Sequence, residues 1–316
     1  MTIAAAPTGR SRLKRIFVGA DGLRAGWSLA IYYVAVATGV VLYAIFAPQP
    51  AAGPDTAWIT IESLAPQAAA LLLIAFAMSR IERRPFGAYG LRPRHVAADF
   101  ALGIFCGIAL LSALIGALWL AGGVTFGPPD FSDGWRKGGD WLIAFLLVGF
   151  VEEFWFRGFF QFTLARGLTG LLRWAWPGFR DARAFGFWLA AAVLSGLFFV
   201  LGHRGNGGEN ALGLASVALV GFVLAFSLYR SGALWWGIGF HAAWDWTETF
   251  LFGAADSGHV ARDSLLVART AGPTLLSGGS AGPEGSVLVF PTLLLAALLV
   301  AILYRRRTSL GAEPPS

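Results

Sequence analysis

Charge is scarce in this chain. Of its 316 residues only 13% are Asp, Glu, Lys or Arg, while 56% are hydrophobic; an ordinary soluble domain is about 25% charged. That scarcity excludes a soluble globular protein and marks a membrane protein. No stretch reads as a separate soluble domain or as an internal repeat. Cysteine is nearly absent. The one residue, Cys106, lies in an apolar run, which excludes an internal disulfide. The net charge of +6 does not point to nucleic acid. The basic residues fall between apolar runs, as membrane topology arranges them, and form no isolated basic domain. The His-Glu-x-x-His pattern, which sets two zinc-binding histidines and a base on one helix, is also missing.

What remains is a succession of apolar runs. A spanning helix needs about 20 mostly apolar residues, and eight segments qualify: 27–47, 58–79, 97–122, 141–162, 185–203, 211–229, 233–252 and 287–304. The fold class is therefore all-α, a polytopic membrane helix bundle. It divides into a basic N-terminal segment (1–26), a transmembrane helical domain (27–304) and a short tail (305–316). The first apolar run follows basic residues but exceeds the 7–15 residues of a signal-peptide core, so it reads as a retained anchor. The sixth and seventh segments, joined by "YRSG", should form an antiparallel hairpin. With the N-terminus in the cytoplasm, 18 of the 24 lysines and arginines fall on the cytoplasmic side and five outside, with Arg157 alone inside a helix. That asymmetry puts both termini in the cytoplasm of a multi-pass protein of the cell membrane.

Two connecting segments admit two readings each. "RWAWPGFRDAR" (173–183) reads as an interfacial elbow lying on the membrane surface or as a basic loop with belt tryptophans. The external segment 253–286, ending "LLSGGSAGPEGS", reads as a cover over a cavity mouth or as a plain flexible loop.

Ionisable groups inside the apolar runs carry the functional signal, because an isolated charge at mid-bilayer costs about 2.5–3.5 kcal/mol on insertion scales. "VEEFWFRGFFQ" holds three. Glu153 and Arg157, four apart, share a helix face and can pair. Glu152 points about 100° away and has no partner on its own helix. The fifth segment ends at His203, and the seventh contains His241 and Asp245, again four apart. His203 alone reads as an interfacial cap, and His241 with Asp245 as a packing hydrogen bond. The other two histidines, His95 and His259, lie in loops. Together, carboxylates and histidines from three helices suit general-base activation of water or metal binding.

These residues resemble the CPBP family of intramembrane proteases, which includes the type II CAAX prenyl endopeptidases and the bacteriocin-processing Abi proteins. The pattern is Glu152-Glu153-Phe-Trp-Phe-Arg157, then Phe199-Val-Leu-Gly-His203, then His241-Ala-Ala-Trp-Asp245, within 140–250. The resemblance implies hydrolysis of a peptide bond in a membrane-associated or prenylated protein or peptide. Glu152 would activate water and His203 would position it. His241 and the residue at 245 would stabilise the oxyanion, while Glu153 and Arg157 support the site. Asparagine often stands where this chain has Asp245. An aspartate only accepts hydrogen bonds, so Asp245 would instead orient His241 or ligate a metal. The resemblance implies no obligatory cofactor; a divalent metal such as zinc would draw on Glu152, His203, His241 and Asp245. An ion-coupled transporter, or a scaffold retaining the protease fold without catalysis, stands as the alternative. One difficulty attaches to this set: a full-length fifth segment carries His203 toward the external face, whereas Glu152 and His241 fall near mid-membrane.

Overall fold

The structure is a computed structural model that describes residues 16–19, 22–46, 56–132 and 134–307. The basic residues Arg10, Arg12, Lys14 and Arg15, most of the predicted N-terminal segment, and positions 308–316 of the tail lie outside the described residues. The chain is an all-α bundle. Helices α1 (Ala25–Phe46), α2 (Ala57–Glu82) and α3 (Val96–Leu120) come first. Helix α4 (Gly134–Glu152) continues through a π-helical turn (Glu153–Phe160) into α5 (Gln161–Ala175). After a turn at 176–181, α6 (Ala182–Val193) passes through a second π turn (Leu194–Phe199) into the single turn α7 (Val200–His203). Helix α8 (Ala211–Ser231), α9 (Trp235–Trp246) with a π-helical end (Thr247–Leu251), and α10 (Val289–Leu303) complete the bundle.

All eight expected segments are helical, but they are not equivalent. Among the described residues, five helices are long and apolar enough to cross a membrane by length and composition: α1, α2, α3, the run Ala182–His203, and α8. The remaining three differ for readable reasons. The 141–162 segment sits in a longer helical run that also carries Arg136, Lys137, Asp140 and Glu152. Helix α9 is 12 residues long and its π-helical end contains Glu248. At 15 residues, α10 measures about 22 Å, less than a hydrocarbon core of about 30 Å.

Caps mark several helix boundaries. Thr56 accepts the Ile59 N–H at the start of α2, and Asn210 Oδ1 accepts the N–H groups of Leu212 and Gly213 at 2.9 and 3.0 Å at the start of α8. Gly232, with φ 77°, ends α8, a left-handed position that glycine takes without strain. The short turn expected after α8 is present, yet α9 packs most extensively on α3 rather than on α8. Glycines permit it. A Cβ on Gly103 would collide with the Trp236 carbonyl, one on Gly107 with Phe240 O, and one on Gly239 with Phe100 O. Small residues that let backbones approach are how helices associate in lipid, where burial of apolar surface gives no drive. Trp236, Phe240 and Trp244 then stack along α9 and enter a core with Leu111, Leu114 and Leu293.

The two ends of the bundle are separately tied. At one end Arg166 reaches Leu23 O, Ser28 Oγ and Glu82 Oε1 at 3.0–3.2 Å. There too Tyr89 donates to Glu82, Leu234 N to Gly90 O and Trp235 Nε1 to Arg92 O. Arg307 grips Asp99 with two bonds of 2.8 and 3.0 Å. This end gathers the described basic stretches 80–96, 163–184 and 305–307. The opposite end holds the strand pair β1 (Val124–Phe126) and β2 (Ala268–Thr270), the Trp141 Nε1 bond to Arg262 O, and Lys137 beside Asp130 and Asp263. Asp130 also accepts from Ser132, and these bonds hold its carboxyl down at about 2. In the 173–183 turn Trp174 and Trp176 are exposed, which suits either reading of that segment.

Candidate active site

Each of the three motifs meets a π-helical turn. Glu153 begins the first, Phe199 ends the second four residues before His203, and the third follows Asp245 by two residues. A π turn shifts the backbone hydrogen bond by one residue and re-aims the side chains around it, and such turns concentrate at functional sites.

The first motif resolves as the helical spacing predicts. Arg157 Nη1 donates to Glu153 Oε1 at 2.7 Å, with both side chains almost fully buried. Glu152 faces the other way, into a cavity, and its Oε2 has no hydrogen-bond partner. The motifs are then joined pairwise. The Arg157 guanidinium lies 4.4 Å above the centre of the Phe199 ring, a cation–π contact linking the first motif to the second. Phe199 O lies 2.9 Å from His203 Nδ1. A carbonyl only accepts, so this nitrogen carries the proton and Nε2 is left with its lone pair. On the third motif, His241 Nδ1 lies 3.1 Å from Glu153 Oε1. Its Nε2 lies 3.5 Å from Asp245 Oδ2 and 3.9 Å from Glu152 Oε2. Glu153 therefore hydrogen-bonds both Arg157 and His241, on two different helices, whereas Glu152 comes only within ion-pair range of His241.

Glu152, His203, His241 and Asp245 line one cavity of about 450 Å³. Its apolar wall includes Trp155, Phe156, Leu224 and Phe240. Residues 204–210 are tied to the 253–286 segment: Asn206 Nδ2 donates to Ser257 O at 3.0 Å, Ser280 Oγ donates to Gly208 O at 2.7 Å, and Asn210 Nδ2 donates to Gly278 O at 2.8 Å. A Cβ on Gly208 would meet Gly258 and Ser280. His203 and Glu152 nonetheless face one shared cavity. Burial raises the Glu209 carboxyl above its ordinary value, against the Asn210 N–H that it accepts.

The 253–286 segment is packed across the cavity, the first of its two readings. Its hairpin closes through paired bonds between Asp256 and His259 around Ser257 and Gly258, with φ of 44° and 86°, the positive pair a tight hairpin turn requires. Asp256, Ser257, His259 and Glu284 all line the cavity. His259, expected as an ordinary loop histidine, thereby belongs to the site's surroundings; His95 stays outside, at the start of α3. Burial, with the charges of Asp245 and Glu284 beside it, pushes the Asp256 carboxyl well above the usual carboxylate range.

The metal expectation fares differently. Among the described residues, Glu248, Asp256 and Glu284 bring one oxygen each within 4.8 Å of one another. The predicted quartet Glu152, His203, His241 and Asp245 does not converge as such a group. Sequence reading passed over Glu248, although a third ionisable residue in the apolar run that carries His241 and Asp245 was a signal of the same kind.

Comparison with known proteins bears on the same stretch. Residues 135–247 match the family described as Type II CAAX prenyl endopeptidase Rce1-like. The matched segment contains all three motifs and covers about a third of the chain. No curated protein and no solved structure matches the chain.

Proposed function

We propose that the chain is an intramembrane endopeptidase of the CAAX type, hydrolysing a peptide bond with water activated by Glu152. The observation that carries this reading is the division of labour between adjacent glutamates. Glu153 is buried and committed to Arg157 and His241, while Glu152 offers an unpartnered carboxylate oxygen to a cavity shared with two histidines. Glu152 takes a proton from water as the oxygen attacks the scissile carbonyl. It then returns that proton to the leaving amine as the C–N bond breaks, so the carboxylate is regenerated. His203 accepts a hydrogen bond from the water through Nε2, its ring fixed by the Phe199 carbonyl. His241, with Nδ1 on Glu153, donates through Nε2 to the oxyanion when its ring carries both protons, a hydrogen bond that counts for more there than in water. Asp245 sits beside that nitrogen at 3.5 Å and acts on the histidine's orientation.

The cavity's surroundings favour a substrate with an apolar, lipid-like part. A second cleft of about 250 Å³ lies against it, sharing Gln67 and Trp155 and lined by Val36, Val40, Leu71 and Ile74. Its wall is almost wholly hydrocarbon, as a prenyl chain requires. The test is cleavage of a farnesylated CAAX-type peptide by the purified protein in lipid vesicles, with the unprenylated peptide as control. Cleavage of the prenylated peptide by the wild type and none by Glu152→Gln supports the reading. Cleavage that persists in Glu152→Gln refutes the role of Glu152, and intact peptide with a well-folded wild-type protein refutes the substrate class.

A further inference from the structure

A group of carboxylates outside the three motifs is the least explained feature of the molecule. Glu248 lies on the π-helical end of α9 with none of its surface exposed, and neither carboxylate oxygen has a hydrogen-bond partner. A buried carboxylate in that condition carries a heavy desolvation cost. Its oxygen lies within 4.8 Å of oxygens of Asp256 and Glu284, both on the segment packed across the cavity. Asp245, three residues earlier on the same helix, adds a further carboxylate nearby.

The donors that reach Asp256 and Glu284 are neutral. Thr249 Oγ1 donates to Asp256 Oδ2 at 3.3 Å, Ser257 Oγ to Glu284 Oε2 at 2.5 Å and Trp244 Nε1 to Glu284 Oε1 at 3.1 Å. Each donor occupies one lone pair on its oxygen and leaves others available. None serves Glu248. The geometry points to a binding site for a hard divalent cation of the calcium type, held by Glu248, Asp256 and Glu284, which clamps the 253–286 segment to the end of α9.

The donor set selects the chemistry. Three carboxylates with no nitrogen or sulfur suit a cation that takes oxygen ligands. Two ligands at about 2.4 Å from one ion lie at most about 4.8 Å apart, and the three carboxylate oxygens lie within that limit of one another. Asp256 and Glu284 line the cavity, which gives an ion and its remaining water ligands a route in. The three ligands come from three places in the chain: the end of α9, the Asp256–His259 hairpin, and the stretch before α10. One ion therefore fixes the cover to the bundle at a point where side-chain hydrogen bonds alone leave three carboxyl groups without a cationic partner among the described residues. This site is separate from Glu152 and does not depend on peptide hydrolysis.

Trp244, bonded to Glu284, makes the site directly observable. The chelator-stripped full-length protein in detergent is titrated with Tb³⁺ under tryptophan excitation, and Ca²⁺ is then added as competitor. Thermal unfolding is followed in parallel with Ca²⁺ alone. The proposal expects saturable sensitised emission that Ca²⁺ reverses, and an unfolding temperature that rises with Ca²⁺. Asp256→Asn and Glu284→Gln, which keep side-chain shape, should each weaken binding by at least about tenfold, as losses of even outlying groups at metal sites do. Absence of Ca²⁺-reversible emission in the wild type, with no thermal shift, overturns the proposal. So does identical titration of the wild type and both variants, which places the ion elsewhere. If Glu248→Gln raises the unfolding temperature of the stripped protein while Ca²⁺ leaves the wild type unchanged, the cluster holds protons instead and the proposal fails.

Discussion

Glu153 Oε1 receives two donors from two different helices: the Arg157 guanidinium at 2.7 Å and His241 Nδ1 at 3.1 Å. The buried ion pair is thus also the anchor of a histidine in the cavity. Removing Arg157 leaves Glu153 charged and without its main partner in an apolar interior, a loss of about 3–5 kcal/mol. Arg157→Ala should therefore lower the yield of folded protein and its unfolding temperature, measured by size-exclusion chromatography and thermal unfolding in detergent. Glu152→Gln, at a partly buried carboxylate that faces the cavity with one oxygen lacking a hydrogen-bond partner, should leave both near the wild-type values. Equal losses in the two variants would contradict the division between the two glutamates.

Phe199 offers its ring to Arg157 and its carbonyl to His203. Phe199→Leu keeps an apolar side chain but removes the aromatic face, a contact worth about 0.5–2 kcal/mol. We expect a modest fall in stability together with a larger fall in turnover, because the second motif loses its tie to the first. A stability loss with unchanged turnover would mean that Phe199 only fills space.

Gly208 and Gly258 meet where the cover crosses the cavity. Gly208→Val has no room there and should force the Asp256–His259 hairpin outward. Limited proteolysis should then cut within 253–286 faster than in the wild type, with the rest of the bundle intact. An unchanged digestion pattern would show that this contact does not hold the cover.

The basic stretches gather at one end of the bundle, and the β1–β2 pair and the 253–286 segment at the other. The excess of lysine and arginine predicts that the first end is cytoplasmic. Reporters fused to the C-terminus and inserted near Val260, which is exposed, should report opposite sides, the C-terminal one inside. Both reporters on one side would refute this orientation.

How much of this was legible in the sequence follows from the kind of interaction involved. The pairing of Glu153 with Arg157 and the isolation of Glu152 are consequences of helical spacing within one segment, and a π turn between them does not undo them. The joining of the motifs was legible only as convergence. That His241 would rest on Glu153, or Arg157 on Phe199, depends on how three helices pack, and packing turns on Gly103, Gly107 and Gly239, which a hydropathy pattern passes over. The π turns left no sequence signature, since they alter backbone hydrogen bonding rather than composition. The depth of His203 stayed open in the sequence, because 204–210 reads equally as a polar loop and as a stretch that dips into the protein. What holds that stretch is contacts with residues 257, 278 and 280, some 50–70 positions away, which no local pattern shows. Asp256 and Glu284 were hidden for the same reason, inside a segment whose glycine and serine content suits a loose loop as well as a packed one.

The central claim is that Glu152 activates the water that cuts a peptide bond. The most direct measurement compares the protein termini of cells producing the wild type with those of cells producing Glu152→Gln at equal membrane abundance. The account predicts a defined set of termini, in membrane-associated proteins, that is present with the wild type and absent with the variant, while the uncut precursors accumulate. Identical sets of termini in the two cell populations, with both proteins folded and equally abundant, would contradict it.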